Sequence, residues 1–273
     1  MIDWWPHGSA LWTSILMSYL YGGLWTPVVC TYFIWGLTWM VGNSIMDEDG
    51  LDVKAYVIHY TPLKERKAFL KNQLEQEQVT YTFIERYDRE VLYEGDMRRF
   101  DLRRVRLSMC SNIMKHLLTY QMISHASHKY NLILEDDAVL SEGFIPRLRR
   151  GLDELPEDYD MLFIGDGMGM HIAADRLEEG RYVYRKDIQG GRWGKGPEGA
   201  GATRCTDSYL VSKRCAKILS QYVMMLSAHA INANSDLWLN DVIRRFNFNV
   251  YWLEPTIVLQ GTQNGMYDTS HGL

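Results

Sequence analysis

The chain has 273 residues, 47% of them hydrophobic and 23% charged, and a net charge of −5 at pH 7. These are the proportions of a globular protein with a sizeable core, organised as one large domain or as a domain with an appendage. The acidic balance, without a basic patch interleaved with aromatics, argues against a nucleic-acid binder, and the cysteines at 30, 110, 205 and 215 form neither a CxxC pair nor a disulfide framework.

The first segment differs from the rest. From Gly8 to Met46 there is no Asp, Glu, Lys, Arg or His, and Asp47, Glu48 and Asp49 close the run. A membrane span needs ~20 apolar residues, so membrane association through residues 8–46 is expected. Gly22, Gly23 and Pro27 divide the run into a span plus an interfacial piece or into a re-entrant hairpin; a helical hairpin packed on a soluble domain stays open as the alternative. The expected organisation is an apolar segment over 1–50 and an α/β domain over 51–273. Few Lys or Arg flank the run, so its orientation is open.

The soluble part begins with a strand over Val53–Tyr60. Thr61 and Pro62 then supply a capping residue and a first-turn proline, so a helix is expected from there, with Leu63, Phe69, Leu70 and Leu74 on one face. A second strand follows over Val79–Ile84. Five arginines between Arg98 and Arg106 suit a solvated face, phosphates or an anionic membrane surface. Met109–Ser127 has helical spacing, and His116, His125 and His128 read as surface or helix-end residues. Further on come a helix around Phe144–Leu152, a strand over Met161–Ile164 ending at Asp166, and a short strand over Tyr182–Tyr184. The glycine-rich stretch Lys186–Thr203 suits a lid or plain disorder. Asp207–Val211 reads as a strand, Ser212 as the cap of a helix reaching Met225, and Ser235 as the start of another. Asn249–Leu253 and Thr256–Gln260 close the domain. Cys205 and Cys215 could be bridged in an oxidising compartment.

Between these elements lies Asn131–Leu140, reading NLILEDDAVL. Leu132, Ile133 and Leu134 have the character of a strand buried on both faces, so Glu135, Asp136 and Asp137 fall where the strand leaves its sheet. Three carboxylates there raise one another's pKa, and desolvation adds to the cost. A divalent cation answers that charge at the carboxyl end of an open α/β sheet, and a solvated acidic turn is the bland alternative.

In order along the chain, YVIHYTPLKERKAFLKNQL, LSMCSNIMKHLLTYQMI, LILEDDAVL, LPEDYDMLFIGD, TDSYLVSKRCAKIL and SDLWLNDVI resemble glycosyltransferase family 25. That family includes lipooligosaccharide and collagen galactosyltransferases. The likeness runs from about Val53 to Gly261; the glycine-rich stretch and the short C-terminal tail depart from it. It implies a GT-A-type, Rossmann-like α/β fold and inverting transfer from a nucleotide sugar, UDP-galactose favoured, to a glycan, lipid-linked or protein acceptor, with Mn²⁺ or Mg²⁺ as cofactor. Asp137 is then the principal metal ligand, with Glu135 and Asp136 sharing supporting and ribose contacts. His59, Tyr60 and Arg66 match the first block and belong near the nucleotide. Asp236 matches the late acidic residue and is the candidate base, with Asp241 in reserve. His271 is a candidate further metal ligand, and Asp166 either meets the acceptor or ends its strand.

Two rival readings remain at this level. One is a membrane-anchored module that binds a nucleotide sugar or glycan without turnover, and the other is a metal-dependent phosphohydrolase.

Overall fold

The computed structural model describes residues 50–186 and 203–269. The chain divides after Gly50, and the unit considered below begins at Leu51. The expected span at 8–46, nearly all of the glycine-rich stretch and His271 lie outside the described residues. Among the described residues no helix is long and apolar enough to cross a membrane.

The strands are β1 (Val53–Ile58), β2 (Thr80–Ile84), β3 (Tyr130–Glu135), β4 (Ala138–Leu140), β5 (Met161–Phe163), β6 (Val183–Arg185), β7 (Ser208–Val211), β8 (Val250–Leu253) and β9 (Val258–Gln260). The helices are α1 (Lys64–Gln76), α2 (Glu94–Met97), α3 (Leu107–Ser124), α4 (Phe144–Glu154), α5 (Lys213–Met224) and α6 (Ser235–Phe246). Seven strands form one mixed sheet in the order β2-β1-β3-β7-β5-β8-β6, while β4 and β9 pair antiparallel as a separate ribbon. In the large sheet β1, β2, β3, β5 and β8 run parallel, and β7 and β6 run against their neighbours.

Helices cover both faces, which is why the central strands read as continuous apolar runs rather than alternating ones. On one side Ile133, Phe163, Tyr209 and Trp252 pack with Ile113 and Leu117 of α3, Leu219 of α5 and Val242 of α6. On the other, Leu132, Leu134, Leu162 and Leu210 meet Leu70 and Leu74 of α1 and Phe144 and Leu148 of α4. Side chains of this kind, wholly withdrawn from water, stabilise the fold by roughly 1.5–3 kcal/mol each. Strand alternation therefore divides a single LIL run between two cores.

Several expectations change in the structure. Helix α1 starts at Lys64, not at Thr61-Pro62, because the Thr61 hydroxyl donates to Asp88 Oδ2 rather than capping the helix. Ser212 does cap α5, accepting from Cys215 N at 3.1 Å. Cys205 and Cys215 are both free thiols, the latter buried in α5. His116 is not at the surface: it is 2% exposed, in the middle of α3.

Candidate active site

Strands β1 and β3 end side by side, and their carboxyl ends open into a cleft. His59, Tyr60, Arg66, Arg89 and Lys115 line it together with Glu135, Asp136 and Asp137, so cations face the acidic triplet. A second cleft contains Cys205, Thr206, Ser235 and Asp236. Glu135, Asn112, Gln260, Thr262 and Thr269 border both clefts.

The three carboxylates have different work. Asp136 is fully engaged: His59 Nδ1 donates to Oδ2 at 2.8 Å, the Tyr60 backbone N–H donates to the same oxygen at 3.0 Å, and Arg66 pairs with Oδ1 at 3.1 Å. Arg66 also donates to the Asp268 carbonyl and lies 4.9 Å from the Tyr267 ring centroid. Asp136, His59 and Arg66 thus fasten the C-terminal segment to the end of β1. Tyr60 turns its hydroxyl away, donating to Glu90 at 2.5 Å and accepting from Arg89 Nη2 at 2.8 Å.

Glu135 receives three donors on Oε1: Asn112 at 3.1 Å, Thr206 at 3.0 Å and His116 Nε2 at 3.4 Å. Burial works to raise its pKa, but the hydrogen bond and electrostatic attraction of His116, with the bonds from Asn112 and Thr206, hold the carboxyl down at about 2. Behind it a buried chain continues from His116 Nδ1 to the Tyr209 hydroxyl at 3.0 Å and on to the Tyr120 hydroxyl at 2.6 Å.

Asp137 is the open one. Its Oδ2 accepts from Thr262 N at 3.3 Å, whereas Oδ1 is buried without a hydrogen-bond partner. Burial first, and the neighbouring charge of Glu135 second, push the carboxyl up to about 6. The chain returns over it at Gly261, whose N–H donates to the Asp137 carbonyl at 2.8 Å. A Cβ at position 261 would stand 2.8 Å from that carbonyl oxygen, so glycine permits the close pass.

Among the described residues no group of three or more His, Cys, Asp or Glu is placed to hold a metal by itself. The residues present do fit an ion with a single protein ligand. Asp137 Oδ1 is an orphaned, buried carboxylate oxygen, and a hard divalent cation commonly combines one or two carboxylates with substrate phosphates and water.

Asp236 sits in the first turn of α6, where the helix dipole favours an acid, and it faces the second cleft. Asp241 does not join it. Five residues at about 100° each carry it to the other side of the helix, where it is exposed and pairs with Arg244 at 3.3 Å. Asp166 accepts from Gln260 N at 3.0 Å and holds the start of the C-terminal segment.

Two residues, Thr206 in the second cleft and Asp207 buried next to it in sequence, have no distinct sequence signal. Asp207, just before β7, is buried with Oδ1 unpartnered, and burial keeps its carboxyl well above the usual range despite the Ser208 hydroxyl that donates to it. Thr206 donates to Glu135, and its oxygen lies 2.8 Å from the hydroxyl of Ser235, the first residue of α6. The antiparallel pairing of β7 with β3 brings both residues here, and Glu135 N donates to the Asp207 carbonyl at 2.7 Å.

No protein-family model matches the chain, and no curated protein matches it in sequence. Three solved structures are similar to it in part. A glycosyltransferase involved in the glycosylation of the major capsid of PBCV-1 has a TM-score of 0.44 at 9% identity, over 79% of this chain and 99% of its own. The inositol-1-phosphate CTP transferase from T. maritima has a TM-score of 0.33 at 8% identity, over 81% of this chain and 70% of its own. Mouse xyloside xylosyltransferase 1, in its apo form, has a TM-score of 0.33 at 13% identity, over 72% of this chain and 64% of its own. Similarities at this level establish no kinship.

Proposed function

We propose that the protein is an inverting glycosyltransferase with a GT-A-type domain. It moves a sugar, galactose favoured, from a nucleotide-sugar donor to a glycan, lipid-linked or protein acceptor. One observation carries this reading: a cleft with cations and one open carboxylate adjoins, across Glu135, a second cleft that holds Asp236. A transfer reaction needs two such compartments with a shared wall. A module that only binds a nucleotide sugar has no use for the second.

In this reading Arg66, Arg89 and Lys115 attract the donor diphosphate, whose negative charge grows as the bond to the sugar breaks. Asp137 would hold Mn²⁺ or Mg²⁺ through Oδ1, and such an ion, when bound, neutralises the leaving diphosphate. Glu135, fixed by three donors, keeps the boundary between donor and acceptor in place. Asp236 takes the proton of the attacking hydroxyl from the acceptor side. Residues 8–46 would keep the enzyme at a membrane.

The test is nucleotide release by the purified chain with Mn²⁺ over a panel of UDP- and GDP-sugars, with and without candidate acceptors, using Asp137→Ala as control. Release from one donor that the substitution abolishes supports the reading. Donor binding without turnover under every condition means a binding module, and release of inorganic phosphate without acceptor means a hydrolase. Membrane attachment is checked separately, since the full chain should pellet with membranes and a chain lacking residues 1–50 should not.

A further inference from the structure

Residues 91–107 carry Arg98, Arg99, Arg103, Arg104 and Arg106 against Glu94, Asp96 and Asp101, a net positive stretch in a chain of charge −5. Arg103 pairs with Asp101 at 2.8 Å yet keeps 88% of its side chain in solvent, and Arg104 keeps 68%. The same stretch exposes Val91, Tyr93, Leu102 and Leu107. A backbone ladder ties it to the segment after α5: His229 N donates to the Arg98 carbonyl at 2.9 Å, Ile231 N to Arg99 at 2.8 Å, and Asp101 N to Ile231 at 2.8 Å. Met224 and Met225, at the end of α5, are 80% and 74% exposed, and Arg99, Lys217 and Met224 line a single groove between α3 and α5. Of the nine large hydrophobic side chains exposed among the described residues, six belong to these two segments.

Apolar tips set among long cationic side chains are the composition of an interfacial surface. The tips enter the boundary between headgroups and acyl chains, while the guanidinium groups remain with the phosphates. A nucleic-acid strand would ask for a row of stacking rings, and Tyr93 is the one exposed ring in the patch. We propose that this face, built from residues 91–107 and Met224–Met225, docks on an anionic phospholipid surface.

Sedimentation of the full chain with phosphatidylcholine vesicles, with and without phosphatidylglycerol, tests it at low and high salt. More binding to the anionic vesicles is expected, with the excess removed by salt; whatever residues 8–46 contribute is shared by both lipid compositions. Each arginine near such a surface is worth about fivefold in binding constant, so R104E/R106E should lower binding to anionic vesicles at least tenfold and leave neutral vesicles unaffected. The charge-removing R98Q/R104Q/R106Q should act in the same direction, and the uncharged M224Q/M225Q should weaken binding while retaining its salt dependence. Unchanged melting temperatures show that the variants fold. Equal binding to both lipid compositions, an excess that survives the arginine substitutions, or no vesicle binding overturns the proposal.

Discussion

Lys186 and Arg204, at the two ends of the glycine-rich stretch, lie over the same indole, 4.3 and 4.2 Å from the ring centroid of Trp252. Arg204 also pairs with Glu254 and donates to the Leu253 carbonyl at 2.8 Å, all inside the protein. Strand β8 thereby holds both ends of the stretch, whatever lies between them.

That arrangement predicts an asymmetric cost. Arg204→Met leaves Glu254 buried without its strongest partner and should destabilise the protein by about 3–5 kcal/mol. Removing the cation at Lys186, as Lys186→Met, should cost about 0.5–2 kcal/mol. Urea unfolding of the two variants checks the order, and equal losses would refute it.

Asp137→Asn should remove at least 99% of donor turnover and still fold. In thermal melts Mn²⁺ should raise the midpoint of the wild-type protein and leave that of Asp137→Asn unmoved, because ligand binding stabilises only the form that holds it. A shift of equal size in both proteins would place the ion elsewhere.

The pH dependence follows from the same carboxylate. Its pKa in the fold is about 6 against 3.8 when free, so between those values the native protein retains a proton that the unfolded chain has lost. With EDTA present, stability should therefore fall as pH rises from about 4 to 6, by an amount on the order of 1–3 kcal/mol, and level off above. Glu135 has the opposite sign in a lower window, its contribution being lost as pH falls from 4.5 toward 2. The quantity to read is the difference between wild type and Asp137→Asn at pH 4 and pH 7, which should grow with pH in favour of the variant.

Thr206 lines the second cleft and holds Glu135, which borders both, and Thr206→Val keeps its shape while removing the hydroxyl that joins Glu135 to Ser235. One lost hydrogen bond of about 1–1.5 kcal/mol corresponds to about tenfold in rate. The fall should appear in kcat, with donor KM little changed, and Thr206→Ser should restore most of it. A KM effect alone would mean that Thr206 serves donor binding only.

Much of this site could be read from residues in a row. Three aliphatic side chains followed by three acids mark the end of β3, whereas the buried, unpartnered oxygen of Asp137 is visible only in the fold. Asp207, Thr206 and His116 were not legible in the same way. The first two arrive through antiparallel pairing of β7 with β3, which no local pattern in the chain encodes. His116 lies on a helix apolar enough to bury most of its circumference, and only packing on Tyr209 shows that the ring points inward to Glu135. The engagement of Asp136 is hidden for a related reason: its partners, His59 and Arg66, are far away in sequence and claim both oxygens. The arginine-rich stretch was visible, but the ladder to His229 and Ile231 was not.

The reversed direction of β7 has a further effect. In a sheet whose other central strands all point one way, the site would be furnished only by segments that leave strands; here it also receives a segment that enters one, residues 203–207. That segment follows directly on the glycine-rich stretch, whereas His59, Arg66 and Asp137 all precede that stretch by about 50 residues or more. Insertions or deletions between Lys186 and Thr203 can therefore reshape the wall around Asp236 while the cation-lined cleft keeps its form. Under the proposed function, a change of acceptor need not disturb the donor cleft.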